Sequence, residues 1–456
     1  MYYISTRNNN LKKTFSEILF QGLSDDGGLF LPIVWPLVNI NDLKGKHYQE
    51  IAQDVIYPFV KKDIDPNDLK KIVDNSFKNF NHNKIAPLIN IEKNKYILEL
   101  FYGPTFAFKD YAMQFLGSLF SYLLSSSNKK ITIIGATSGD TGSAAIEAFK
   151  GKKNIEVFIL HPHNRISSVQ RKQMTTINDS NIYNIALKGN FDDCQKIVKN
   201  LFLDHDIQTK TSLTAVNSIN WARIIAQSVY YFWTYSLIDN NKINFIVPSG
   251  NFGNIFSARV AFLMGLPINK LYLVTNSNDF LHRAITKGEM EIKNVINTPS
   301  PSMDIQVSSN FERQIFESSK RNSNEVKQIM NFFLKDGYYK FSQEIINDLR
   351  KIYESYSVTN SDTINIIKRF KDKYNYLADP HTATGLGLLE KKETDEPIVS
   401  LACAHPAKFA DSIKNATGEN PIMPRKLENI FDKNEKMTIL ENNHNLVKSH
   451  ILDKIS

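Results

Sequence analysis

Lys109 and Asp110 interrupt the apolar run "FYGPTFAFKDYAMQF" (101–115), in which Phe106, Phe108, Tyr111, Met113 and Phe115 read as buried. A lysine is almost never fully buried unless it is paired. Apolar surroundings withhold solvation from its ammonium group, lower its pKa and make the neutral amine a usable nucleophile. Such an amine condenses with an aldehyde to form a Schiff base. Taken alone, Lys109 reads equally well as a snorkelling lysine with its head in water.

Three turns add anion-binding chemistry. In "GATSGDTGS" (135–143), Thr137, Ser138 and Thr141 offer hydroxyls at the start of a helix. The positive end of that helix favours a carboxylate or phosphate. The turn lacks the lysine of a Walker A loop, and Ser, Asp and Thr are also ordinary helix caps. In "VPSGNFGNIFS" (247–257), Ser249, Gly250, Asn251, Phe252, Gly253 and Asn254 make a turn suited to a backbone nest for phosphate. In "AVNSINWAR" (215–223), Asn217 and Ser218 are expected to start a helix, with Arg223 one turn inside it. A guanidinium presents a fork of donors to phosphate, although a surface arginine behind a capped helix is the plainer account. Pyridoxal phosphate carries both an aldehyde and a phosphate, so it unites the lysine with the nest.

These turns need a scaffold. "KITIIGA", "IEVFIL", "IYNIAL", "SLTAVNS", "INFIVPSG" and "LYLVTNS" read as strands that alternate with helical segments. That alternation predicts an α/β class with parallel, helix-covered sheets. Open sheets of this kind bind ligands at the C-terminal ends of their strands, where the three turns lie. Residues 1–92 differ in texture, with helical stretches at "YQEIAQDVIYPFVKK" and "NDLKKIVDNSFKNF" and a turn at "SDDGGLFLP", and are expected to form an N-terminal cap domain. The catalytic region spans 93–456, divided into two α/β subdomains near residue 215. Residues 280–375 are expected to be mostly helical, with a loop at "NTPSPSMDIQVSSN".

The 456 residues are 42% hydrophobic and 22% charged, as in ordinary globular proteins. A net charge of +8 arises from 55 basic and 47 acidic residues in short mixed clusters. A solvated lysine-rich surface explains that charge better than nucleic-acid binding does. Cys194 and Cys403 have no C-x-x-C spacing, which argues against a zinc ribbon or disulfide scaffold and fits a reducing compartment. No metal site is expected. The N-terminus lacks the apolar stretch of a secretion signal, and no apolar run approaches the ~20 residues that span a bilayer. A cytoplasmic protein without a membrane partner is expected.

In chain order, "SDDGGLFLP", "GPTFAFKD", "ATSGDTGSAA", "NSINWAR", "PSGNFGN", "SMDIQVSSNFER" and "AHPAKF" resemble the signatures of the threonine synthase family. Those enzymes are pyridoxal-phosphate-dependent and have the tryptophan-synthase-β-like fold (fold type II). The resemblance is to the longer bacterial and fungal form and covers essentially the whole chain. It implies conversion of O-phosphohomoserine and water to threonine and phosphate. It also implies that Lys109 holds pyridoxal 5'-phosphate and then moves protons at the substrate's Cα and Cβ. Ser249, Gly250, Asn251, Phe252, Gly253 and Asn254 would cradle the cofactor phosphate, and Asp140 would lie beside the ring hydroxyl. Thr137, Ser138 and Thr141 would take the substrate carboxylate, and Asn217, Ser218 and Arg223 its phosphate.

Cys403 departs from the pattern, because the family usually has threonine there, facing the pyridine nitrogen. A thiol is a weaker hydrogen-bonding group, and packing alone also suits a buried cysteine. The resemblance implies a monomer or weak homodimer. A sister reaction on the same fold, such as hydroxy-amino-acid dehydration or cysteine synthesis, would not need the Asn217, Ser218 and Arg223 set. A non-catalytic phosphoamino-acid-binding relative would not need Lys109.

Overall fold

The computed structural model describes residues 1–125, 127 and 129–455. Two parallel sheets form the frame. The smaller has the order Thr438–Glu441, Ile182–Lys188, Ile155–Pro162, Ile131–Ala136, Ser212–Thr214, with every neighbouring pair parallel. The larger runs Tyr353–Ser357, Ile268–Thr275, Ile243–Pro248, Ile398–Ala402, Lys95–Glu99, Leu88–Glu92. It is parallel except for the antiparallel pair at its last edge. The strand Ile243–Pro248 is buried at every residue. A strand covered by helices on both faces must be, which is why it reads as an unbroken apolar run.

The six expected strands all form, with boundaries shifted by a few residues. Sheet membership does not follow the expected divisions at 92 and near 215. The first falls in the hairpin between Leu88–Glu92 and Lys95–Glu99, which belongs to the larger sheet. The second separates Lys95–Glu99 from its neighbour Ile398–Ala402, and Ile182–Lys188 from Thr438–Glu441. Partners this far apart in sequence leave no local trace of their pairing.

The N-terminal segment has the two expected helices, Tyr48–Val60 and Pro66–Phe77. It also has a helix at Phe15–Gln21 and a three-stranded antiparallel sheet. Ile51, Val55 and Phe59 share one continuous core with Tyr111, Phe115 and Trp221, so this segment packs on the catalytic frame. The helix Trp221–Ser236 is buried almost throughout and packs against Tyr48–Val60, Lys109–Ser125 and Gly253–Leu263. An apolar surface on all sides marks such a central helix. Residues 280–375 are mostly helical as expected, and 297–310 is a loop with one short 3-10 turn at Pro301–Met303. Among the described residues, no helix is long and apolar enough to cross a membrane.

Candidate active site

Lys109 is the first residue of the helix Lys109–Ser125, and Asp140 the first of Asp140–Phe149. The positive end of a helix favours a carboxylate and disfavours an ammonium. It therefore acts on both side chains, toward ionised Asp140 and neutral Lys109. Lys109 Nζ stands 3.7 Å from Asp140 Oδ2 and 3.2 Å from Ser302 Oγ. On the other side of the carboxylate, Lys408 Nζ lies 2.7 Å from Asp140 Oδ1, and Gln170 Nε2 donates to the same oxygen at 2.9 Å. Lys408 is fully buried and also donates to the Thr105 carbonyl at 2.9 Å.

Burial is the largest influence on Lys109 and lowers its pKa, against Asp140, which raises it; Lys408 and Arg223 lower it further. Burial alone would raise the pKa of Asp140, but Lys408 and Lys109 outweigh it and hold the carboxyl well below its usual range. Asp110 feels this cluster through the charge of Lys408, which lowers its pKa, but its hydrogen bonds go elsewhere. Its carboxylate accepts from Thr105 N at 2.8 Å and from Thr105 Oγ1 at 2.6 Å. It closes the turn before the lysine, and burial pushes its pKa up to about 6 against those hydrogen bonds.

The loop after Ile243–Pro248 lies beside the lysine. A Cβ on Gly250 would meet Met303 Cα at 2.9 Å and Ser302 O at 3.3 Å, so the Ser302 segment rests on this glycine. Phe252 adopts a left-handed backbone (φ 60°) and starts the helix Gly253–Leu263 with its ring buried against Phe311 and Tyr353. Non-glycine residues rarely hold that conformation, and it recurs at ligand-binding turns. Asn254 accepts through Oδ1 from the hydroxyls of Tyr230 and Tyr231, while its Nδ2 is buried without a partner among the described residues. Ser249 Oγ and Arg223 Nε are likewise buried and unpartnered among the described residues. Buried polar groups in native proteins are normally hydrogen-bonded. Two of these unmet groups, Ser249 Oγ and Asn254 Nδ2, lie at the N-terminus of Gly253–Leu263, where an anionic ligand would meet them.

The Ser302 loop is itself fixed. Asp304 accepts from Thr298 N, Thr298 Oγ1, Asn276 Nδ2 and Asn278 Nδ2 at 2.6–3.1 Å. Ser302 N donates to His381 Nε2 at 3.2 Å, and His381 Nδ1 pairs with Asp379 at 2.9 Å. The Asp379 carboxylate also receives Thr382 Oγ1 and Ala404 N. It thereby fixes the strand end that carries Cys403, whose N–H donates to Thr382 Oγ1 at 2.7 Å. Burial pushes the Cys403 thiol well up, so it stays protonated.

Some expected residues sit differently. The helix of the third turn begins at Trp221, and Asn220 caps it by accepting from Ala222 N at 3.1 Å. Asn217 and Ser218 therefore lie in the loop before the helix. The Ser218 carbonyl accepts from Asn310 Nδ2, whose amide also lies 3.3 Å from where a Cβ on Gly253 would stand. Arg223 points back and donates to the Val216 carbonyl at 3.1 Å. Thr137 Oγ1 accepts from Gly139 N at 3.0 Å and Gly142 N at 2.9 Å, so its acceptor capacity closes its own loop. Ser138 and Thr141 are half-buried. Sequence reading missed Lys408, Ser302, His381, Asp379, Gln170 and Asn310. Lys408, Ser302 and Asn310 lie inside the quoted signatures "AHPAKF" and "SMDIQVSSNFER", but no local pattern marks their burial.

The chain matches three family models. They are threonine synthase N terminus over residues 2–77, pyridoxal-phosphate dependent enzyme over 83–338, and threonine synthase, C-terminal, over 382–451. It is 42% identical to threonine synthase of Pseudomonas aeruginosa, covering 97% of this chain and 96% of that one. It is 39% identical to threonine synthase of Saccharomyces cerevisiae, covering 100% and 98%. The crystal structure of pyridoxal-phosphate-bound threonine synthase from Brucella melitensis superposes with a TM-score of 0.96 at 42% identity, covering 100% and 99%. The residues present fit that cofactor, with an amine of lowered pKa for its aldehyde and unmet buried donors at a helix N-terminus for its phosphate. The fold type II architecture and the cofactor pyridoxal 5'-phosphate follow, and the chain belongs to the threonine synthase family of pyridoxal-phosphate-dependent enzymes.

Proposed function

We propose that the protein converts O-phosphohomoserine and water to threonine and phosphate, a carbon–oxygen lyase acting on a phosphate ester. The observation that carries this is the buried Lys109 amine, 3.7 Å from Asp140, beside an open cradle of unmet donors. Pyridoxal phosphate, when bound, supplies an electron sink for charge that develops at the substrate's Cα. The protein supplies placement and proton transfer.

In this reading Lys109 binds the cofactor and, once free, moves protons at Cα and then Cβ of the substrate. Ser249, Gly250, Asn251, Phe252, Gly253 and Asn254 hold the cofactor phosphate, and Asp140 keeps a negative charge beside Lys109. Ser138 and Thr141, with the backbone around Thr137, hold the substrate carboxylate. Asn217, Ser218 and Arg223 hold the substrate phosphate, and the unpaired Arg223 Nε supports this assignment. Cys403 takes the position facing the ring nitrogen, as a weaker contact than a hydroxyl. Cys403→Thr should then tighten cofactor binding several-fold; unchanged affinity and turnover would reduce Cys403 to packing.

The test is to incubate the cofactor-loaded protein with O-phosphohomoserine and measure threonine and phosphate together. Phosphate with 2-oxobutyrate would instead mark a different lyase, and neither product would mark a binding protein. Borohydride should fix the cofactor on the peptide that carries Lys109. A cytoplasmic location and a monomer or weak homodimer belong to the same proposal. Light scattering that finds a tight higher oligomer would overturn the second.

A further inference from the structure

Two buried lysines face one carboxylate, at unequal distances. Asp140 is in direct contact with Lys408 at 2.7 Å and stands 3.7 Å from Lys109. Its Oδ1 takes both Lys408 and Gln170, and only Oδ2 looks toward Lys109. Lys408 also donates to the Thr105 carbonyl at 2.9 Å and lies in the short turn Pro406–Phe409.

We propose that Lys408 is a positioning residue that occupies the Asp140 carboxylate, so that Asp140 does not capture Lys109 as its own counter-ion. A buried carboxylate with a single cation draws that cation into direct contact, because an unpaired buried charge is strongly unfavourable. Without Lys408, that cation is Lys109. A contact ion pair with Asp140 holds Lys109 as an ammonium, which has no lone pair to attack an aldehyde. With Lys408 in place, Asp140 remains a carboxylate and Lys109 is held loosely enough to lose its proton. Covalent attachment of the cofactor forms a C=N bond, releases water and requires the unprotonated amine.

The other groups around Lys109 do not replace this device. Arg223 and Cys403 face it from the helix Trp221–Ser236 and from the end of strand Ile398–Ala402, the first a cation and the second a neutral thiol. His381 lies behind Ser302, paired with Asp379. Asp110 is turned to Thr105. Asp140 is thus the carboxylate that faces Lys109, at 3.7 Å and short of direct contact, and Lys408, at 2.7 Å, is its competitor for that carboxylate.

This inference rests on Lys109 as the cofactor lysine, and the experiment separates the two. The full-length protein, freed of cofactor, is mixed with pyridoxal phosphate over a pH series. The rate of covalent attachment is read by absorbance, and the attached peptide is identified after borohydride reduction. In Lys408→Met the midpoint of the rate profile should move up by about one pH unit or more, with a ~10-fold slower rate at neutral pH. Lys408→Arg should keep the wild-type midpoint, and Lys408→Met combined with Asp140→Asn should bring it back down. A merely structural role would lower stability without moving the midpoint, and that result overturns the proposal. Label on another lysine overturns the assignment of Lys109 instead. Should the buried substitution prevent folding, carbon-13 NMR of the Asp140 carboxyl in the wild-type holoenzyme still decides. A carboxylate from about pH 5 to pH 9 is expected, and a protonated Asp140 at neutral pH refutes the inference.

Discussion

The turns after Ile131–Ala136 and Ile243–Pro248 look alike in sequence, each a strand end rich in glycine and hydroxyl or amide residues before a helix. The structure separates them. In the first, Thr137 accepts two backbone N–H groups and Gln170 reaches across to Asp140, so the turn closes largely on itself. In the second, Ser249 Oγ and Asn254 Nδ2 are buried and unmet among the described residues. Self-satisfied polar groups fix a loop and aim the residue it carries, here Asp140. Unmet ones tie stability to a ligand. The lysine motif belongs with the closed kind, since Asp110 and Thr105 satisfy one another and leave Lys109 to face the site.

The comparison breaks most severely at Gly250, where a side chain closes the open cradle. A Cβ there lies 2.9 Å from the Met303 backbone, which cannot give way as a flexible side-chain tip would. Gly250→Ala should weaken cofactor binding about 100-fold, near 2.7 kcal/mol, measured by fluorescence titration.

The closed turn at Asp110 is tested by pH. Its folded pKa of about 6 lies above the 3.8 of the unfolded chain, so the folded state binds the proton more tightly. This carboxyl therefore costs stability as the pH rises through that window. Relative to Asp110→Asn, the wild-type protein should lose about 2 kcal/mol between about pH 4 and pH 6 in urea unfolding. A pH-independent difference would mean that Asp110 is not held with a raised pKa.

The two strand-end turns then separate in a matched pair. Thr137→Val strands two backbone N–H groups and should cost about 1–3 kcal/mol of stability, read by urea unfolding of the cofactor-free protein. Ser249→Ala removes a hydroxyl with no internal partner and should leave that stability within about 0.5 kcal/mol. Its effect appears only with cofactor, as about 10-fold weaker binding. Equal stability losses in the two variants would erase the distinction between closed and open turns.

The helices and strands around the site were legible because their cues are local. "INFIVP" is apolar throughout, as a doubly covered strand must be, and the loop at 297–310 announces itself by Pro, Ser and Asn. Asn217 misled because it precedes Asn220 by one short turn, and either asparagine is a good cap; the chain folds Asn220 into that place. The short N-terminal strands Tyr3–Ser5 and Phe30–Pro32 were missed because their pairing joins residues far apart in sequence.

The sequence by itself determined the chemistry on offer: an amine in an apolar run, three turns rich in glycine, hydroxyl and amide residues at strand ends, and a thiol at Cys403. It did so because residue type, glycine placement and alternation are written along the chain. Only the tertiary structure decided which charges meet. Lys408 is 299 residues from Lys109 in the numbering of the chain, and its contact with Asp140 exists only because the Pro406–Phe409 turn folds against the start of Asp140–Phe149. Burial, and with it the strength of an electrostatic contact, is a property of the packed molecule, and no residue declares it alone.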